Sequence, residues 1–178
     1  MGIEPDTADW TWVLEQRCPE CGFDAAELPR GEIGATTRAV VDRFVAFLGD
    51  DDVRDRPGPD VWSKLEYACH VRDVGRIFDQ RLQLMLQEDE PQFENWDQDE
   101  TAVVDRYDRQ DPAAVAVELA RSGSALADAY DSVRAEQWQR KGYRSNGSIF
   151  TVESLGRYMA HDLVHHVWDI EHADPAST

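Results

Sequence analysis

The chain has little cysteine: three residues in 178, at positions 18, 21 and 69. A small and odd number excludes the disulfide-dense scaffold of a small secreted domain. Basic charge is scarce as well. Eighteen Lys and Arg stand against 36 Asp and Glu, a formal charge of −18. A surface this acidic repels phosphate backbones and anionic lipid, which argues against nucleic-acid and membrane partners. No apolar run reaches the ~18–20 residues of a membrane span. The start, MGIEPDTADW, lacks the basic and apolar segments of a secretory signal. Strand-like alternation and internal repeats are missing too. Hydrophobic residues nevertheless make up 42% of the chain, with six Trp, which excludes a disordered acidic tail. These features predict one helical domain in the cytoplasm.

Helical periodicity is what the sequence does have. Residues 1–30, punctuated by Pro5, Pro19, Gly22 and Pro29, read as an irregular N-terminal extension. Val40, Val41, Phe44, Val45 and Leu48 mark the apolar face of a first helix, stopped by Gly49 and the run Asp50 to Asp52. Ser63 and Glu66 form a capping box for a second helix reaching about Gln87, with Trp62 and Tyr67 placed as a hydrophobic staple. Tyr67, Val71, Val74, Phe78, Leu82 and Met85 line one face of it. Residues 88–111 form a long acidic connection, with a short helix expected around 101–109. Pro112 opens a third helix that ends near Arg134, and Thr151 caps a fourth that runs to about His172. The pattern predicts an all-α four-helix bundle over 31–172, with a long crossover between helices 2 and 3 and a short tail at 173–178.

Four of the five His lie within 12 residues of the fourth helix. His161 and His165 are four apart and share a face, so two imidazoles can close on one metal ion. His70, on the second helix, is placed to add a third nitrogen from across the bundle. Three protein ligands leave a coordination position open, as in catalytic sites. Asp169, one turn beyond His165, is the expected orienting carboxylate, and Tyr158 flanks the pair. The plain alternative is a solvated polar face. Leu155, Met159, Leu163, Val167 and Ile170 centre well away from the two His, so the helix reads as buried on two sides. His166 falls near the aliphatic arc and reads as a packing residue.

Cys18-Pro19-Glu20-Cys21-Gly22 looks like half of a zinc knuckle. A structural zinc takes four ligands, and there is no second CxxC. Cys69 or a stray His such as His172 would complete the set only through a tertiary arrangement. The motif also lacks the βαβ context of a redox pair, so an ordinary turn is the expectation. Cys69 reads as a small buried hydrophobe, and Trp96, in the crossover, as a lid.

Two segments resemble one family. Trp62 to Tyr67 leading into His70-Val71-Arg72-Asp73-Val74 is similar to the second-helix motif of the DinB/YfiT-like superfamily. Thr151 to Leu155, through Tyr158, to His161-Asp162-Leu163-Val164-His165 and on to Ile170 is similar to its last-helix motif. The loop from Phe93 to Asp99 resembles actinobacterial members. The resemblance implies a four-helix bundle, often a homodimer, with one divalent metal, zinc or nickel, on His70, His161 and His165. It also implies chemistry on small molecules. The family includes S-transferases of low-molecular-weight thiols and the related mycothiol-dependent maleylpyruvate isomerase. The isomerase branch commonly has Glu where this chain has His161, which argues against that reaction. The expectation is a metal-dependent thiol S-transferase using a thiol such as mycothiol, with Arg72 and Arg157 holding the cofactor's carboxylate. A metal-dependent hydrolase, or a non-catalytic interaction or sensor module, are the alternatives.

Overall fold

The long helices begin where side-chain oxygens meet the N–H groups that a helix leaves free at its start. In the computed structural model, which describes residues 9–173, α1 spans Ile33–Phe47 and α2 spans Lys64–Gln87. The hydroxyl of Ser63 accepts from the Glu66 N–H while the Glu66 carboxylate accepts from the Ser63 N–H. Trp62 and Tyr67 close over this start with their rings 5.5 Å apart. A short α3, Gln98–Val104, is capped by Asp97. In α4, Pro112–Asp131, proline sits in the first turn behind Asp111, where its missing N–H costs nothing. Thr151 caps α5, Val152–His172.

Helix α4 packs along both α1 and α2, and α5 crosses the same two helices. Phe44, Leu65, Leu82, Leu119, Leu126, Leu155 and Met159 are fully buried between them. Each such side chain contributes roughly 1.5–3 kcal/mol relative to exposure. The fold is therefore the expected four-helix bundle with a crossover. No helix among the described residues is long and apolar enough to cross a membrane.

Two features were not visible in the sequence pattern. The crossover carries β1, Gln92–Phe93, which pairs in parallel with β2, Lys141–Arg144, and β2 pairs antiparallel with β3, Ile149–Thr151. Strands of two to four residues are too short to display alternation. The crossover is also pinned to α2. Tyr107, fully buried in a 3-10 turn, donates its hydroxyl to Asp73 at 2.6 Å, and Asp73 also receives Arg72 and Arg76. The second feature is the N-terminal segment. From Trp10 it packs on α5, through a 3-10 turn at Trp10–Leu14, with Val13, Cys18 and Ala25 buried. Residues 1–8 of the expected extension and 174–178 of the expected tail lie outside the described residues.

Candidate metal centre

Helix α5 presents two ladders of polar side chains, each with four-residue spacing. His161 and His165 form one. Asp162 and His166, a step of about 100° around the axis, form the other. Their surroundings divide the histidines into two groups.

The first ladder faces the N-terminal segment. Cys18, Cys21, His161 and His165 each bring a donor atom within 4.8 Å of the others. Cys18 Sγ lies 3.6 Å from His165 Nδ1. The rings of Trp10 and Phe23 cover the imidazoles, with Trp10 5.3 Å from His165 and Phe23 5.7 Å from His161. The second ladder faces α2. His70, Asp162 and His166 likewise bring donor atoms within 4.8 Å of one another. Asp162 Oδ2 is 3.4 Å from His70 Nε2, and Asp162 Oδ1 is 3.5 Å from His166 Nε2. Asp169 serves both ladders: Oδ2 lies 2.9 Å from His166 Nδ1 and Oδ1 lies 3.5 Å from His165 Nε2.

The charges follow from burial and pairing. Burial pushes His70 below the usual histidine range. Burial, with His165 beside it, lowers His161 to about 4. For His166 burial works against the cation, but Asp162 and Asp169 outweigh it and raise the group to about 10. Asp162 is held below the usual carboxylate range, His166 and His70 overcoming the effect of burial. In the metal-free protein the second group is thus a carboxylate–imidazolium pair beside a neutral imidazole.

A divalent ion fits these residues. Both ring nitrogens of His70, Oδ2 of Asp162 and Nε2 of His161 and His166 are buried without an aligned hydrogen-bond partner. Such groups carry a desolvation cost that a cation relieves.

Two cavities meet at the second group. The larger, about 290 Å³, is walled by Trp10, Trp62, Tyr67 and Tyr158, and both ladders and Asp169 reach it. The smaller, about 60 Å³, shares Asp162 and Tyr158 and adds His70, Trp96, Arg81 and Arg144. Trp96 stacks on His70 at 5.3 Å and 5°. Arg81 is buried and donates to the Glu94 carbonyl. Burial, with Arg144 nearby, lowers its guanidinium to about 10. Arg144 donates to Asn146 and Ser148 and lies over the Tyr158 ring. Neither Arg forms an ion pair with a carboxylate among the described residues, in a chain with twice as many acids as bases.

The residues expected from sequence are therefore placed as follows. His161 and His165 stand together, joined by the two cysteines, and His70 stands with Asp162 and His166 instead. Asp169 contacts His165 and His166, and Tyr158 walls both cavities. Arg72 is engaged by Asp73, Gln110 and Glu118, and Arg157 by Glu153 and the Leu28 carbonyl; neither lines either cavity. Sequence reasoning passed over Asp162, Arg81 and Arg144, and it read His166 as a packing residue, whereas His166 stands beside Asp162 and His70. The spacing of Asp162 and His166 was a usable signal, equal to that of the neighbouring His pair.

The family model of the DinB superfamily matches residues 35–170. Among solved structures, the chain is similar to YfiT from Bacillus subtilis, described as a probable metal-dependent hydrolase with an unusual four-helix bundle topology. The two share 17% identity over 96% of this chain and 92% of that one, with a TM-score of 0.63. At that identity the likeness shows the fold. No curated protein matches the chain.

Proposed function

The chain belongs to the DinB superfamily, and from that premise we propose a metal-dependent enzyme whose open metal site is His70, Asp162 and His166. Its reaction is the transfer of a low-molecular-weight thiol, such as mycothiol, to an electrophilic small molecule. One observation carries this reading: His70, Asp162 and His166 converge where two cavities meet, and both ring nitrogens of His70, Oδ2 of Asp162 and Nε2 of His166 are buried atoms without an aligned hydrogen bond. Two imidazoles and one carboxylate leave coordination positions free, the arrangement of catalytic sites. A bound zinc or nickel ion supplies Lewis acidity, which favours thiolate over thiol, or hydroxide over water, at neutral pH.

The chain's own residues do the rest. Asp169 accepts the Nδ1–H of His166 and so turns Nε2 toward the site. Trp96 covers His70 and limits water on that side. Arg81 and Arg144 take an anionic group of the substrate, such as a carboxylate on the electrophile, an anion-holding role that sequence assigned to Arg72 and Arg157. Trp10, Trp62 and Tyr67 offer apolar walls to the electrophile. Tyr158, its hydroxyl kept protonated by burial, is placed to donate to charge developing beside Asp162. The free thiols of the chain suit a reducing compartment such as the cytoplasm.

The same residues acting on water would give a hydrolase, the reading favoured by the description of YfiT. The test is turnover of an electrophile panel by metal-loaded protein with and without mycothiol. Saturable dependence on the thiol supports transfer, and thiol-independent turnover assigns hydrolysis. His166→Ala and Asp162→Asn each remove a proposed ligand and should lower either activity by at least the roughly 10–100-fold typical of losing a group that merely orients a ligand. Unchanged turnover in both variants would overturn the site.

A further inference from the structure

We infer that Cys18, Cys21, His161 and His165 form a second, structural zinc site that fastens the N-terminal segment to α5. This goes beyond the catalytic reading and does not depend on it, since the donors are different residues.

The donor set is the first argument. Two thiolates and two imidazoles select zinc over magnesium, calcium or manganese by ligand softness. Four protein donors fill a tetrahedron and leave no open position, as in structural rather than catalytic sites. Geometry is the second. Zinc bonds of about 2.0–2.3 Å in a tetrahedron place neighbouring donors about 3.3–3.8 Å apart. The four groups lie within 4.8 Å of one another, and Cys18 Sγ and His165 Nδ1 are 3.6 Å apart. They come from segments about 140 residues apart in sequence, which a cation would draw together.

The surroundings agree. Cys18, His161 and His165 are 1%, 3% and 8% exposed, and Nε2 of His161 has no partner. The cysteine turn has the shape of a knuckle. Gly22 donates to the Cys18 carbonyl at 3.0 Å, Cys18 donates to the Phe23 carbonyl at 2.8 Å, and Gly22 adopts φ +74°, which favours glycine. Nε2 of His165 is directed toward Glu20 at 3.3 Å and Asp169 at 3.5 Å, the carboxylates that usually orient a ligating imidazole.

The consequence reaches the pocket. Trp10 lies on both imidazoles and is also a wall of the larger cavity. Zinc in this site therefore holds one side of the substrate pocket in place.

Cobalt substitution tests the assignment without relying on activity. Wild-type protein loaded with cobalt should show strong visible bands of a tetrahedral ion and thiolate-to-cobalt charge transfer. The double variant Cys18→Ser, Cys21→Ser should lose the charge transfer and about one bound zinc per chain, while His70→Ala and His166→Ala retain both. A second readout needs no substitution. Alkylation of Cys18 and Cys21, followed by mass spectrometry, should be blocked in zinc-loaded protein and released by chelator, with Cys69 as the buried control. Absence of thiolate charge transfer in wild type, or alkylation indifferent to chelator, would overturn the site. Loss of the catalytic group alone would appear in the His70 and His166 variants and leave these signals intact.

Discussion

Glu66 fastens α2 to the loop before it with one carboxylate. It accepts from the Ser63 N–H at 2.9 Å, the Ser63 hydroxyl at 2.8 Å and the Arg56 guanidinium, and it is buried. Burial acts to raise its pKa, but Arg56 and Ser63 outweigh burial and hold it below the usual carboxylate range. The stabilisation is therefore complete above the unfolded value of about 4.3 and is lost as pH falls through the folded value. Glu66→Gln should cost about 1–3 kcal/mol at pH 7, and the gap from wild type should narrow as the solution becomes strongly acidic. Urea melts at several pH values measure this; a gap independent of pH would refute it. Asp169 is the residue where the sequence reading and the geometry meet most directly. One carboxylate reaches His165 and His166, so Asp169→Asn should weaken the catalytic metal's affinity roughly 10–100-fold without loss of helicity. Competition with a chromogenic chelator measures it. The Ser63–Glu66 cap and the contacts of Asp169 were legible because those partners lie within four positions along the chain; Arg56, ten positions before Glu66, was not. Arg81 and Arg144 were not, because only the pairing of β2 with the crossover brings them to one cavity.

At the scale of elements, the helices that local chemistry specifies matched the expectation. Ser63, Asp111 and Thr151 act as N-caps, and the apolar stripe of α2 packs inward. What local chemistry could not specify is which groups meet across the fold. The second buried face of α5 was visible in its sequence, but its cover was not: Cys18 contacts His165 across 147 positions, and no periodicity records such a distance. A cysteine turn without a second CxxC read as incomplete because its partners lay in a helix assigned to another metal set. The contact between α1 and α4 offers an element-scale test. Gly123 faces Val41, and a Cβ there would stand 3.1 Å from Val41 Cγ1 and overlap Cγ2. Gly123→Ala would gain up to about 1 kcal/mol in helix propensity. Overpacking costs about 1–3 kcal/mol, so the expected sign is a loss of stability. A thermal melt settles it: a raised midpoint would show that α1 and α4 have room to separate.

At the scale of the whole molecule, charge sets two opposing conditions on a ligand. The surface carries a formal −18, which slows the approach of an anion and is screened over about 8–10 Å at physiological salt. In the smaller cavity, buried Arg81 and half-buried Arg144 present a cationic pair that forms no carboxylate ion pair among the described residues, with Asp162 on the same wall. An anionic substrate should therefore be captured faster as salt rises toward physiological strength, through weakened surface repulsion, while its affinity once seated depends on the two arginines. Charged hydrogen bonds contribute about 1.5–3 kcal/mol each, so Arg144→Gln should raise the KM for an anionic substrate by roughly tenfold or more and leave a neutral analogue nearly unaffected. Kinetics of both substrates across a salt series make the comparison. If Arg144→Gln impairs the neutral analogue equally, the arginine supports the β2–β3 turn rather than the ligand. If salt accelerates both substrates alike, the acidic surface plays no part in selection.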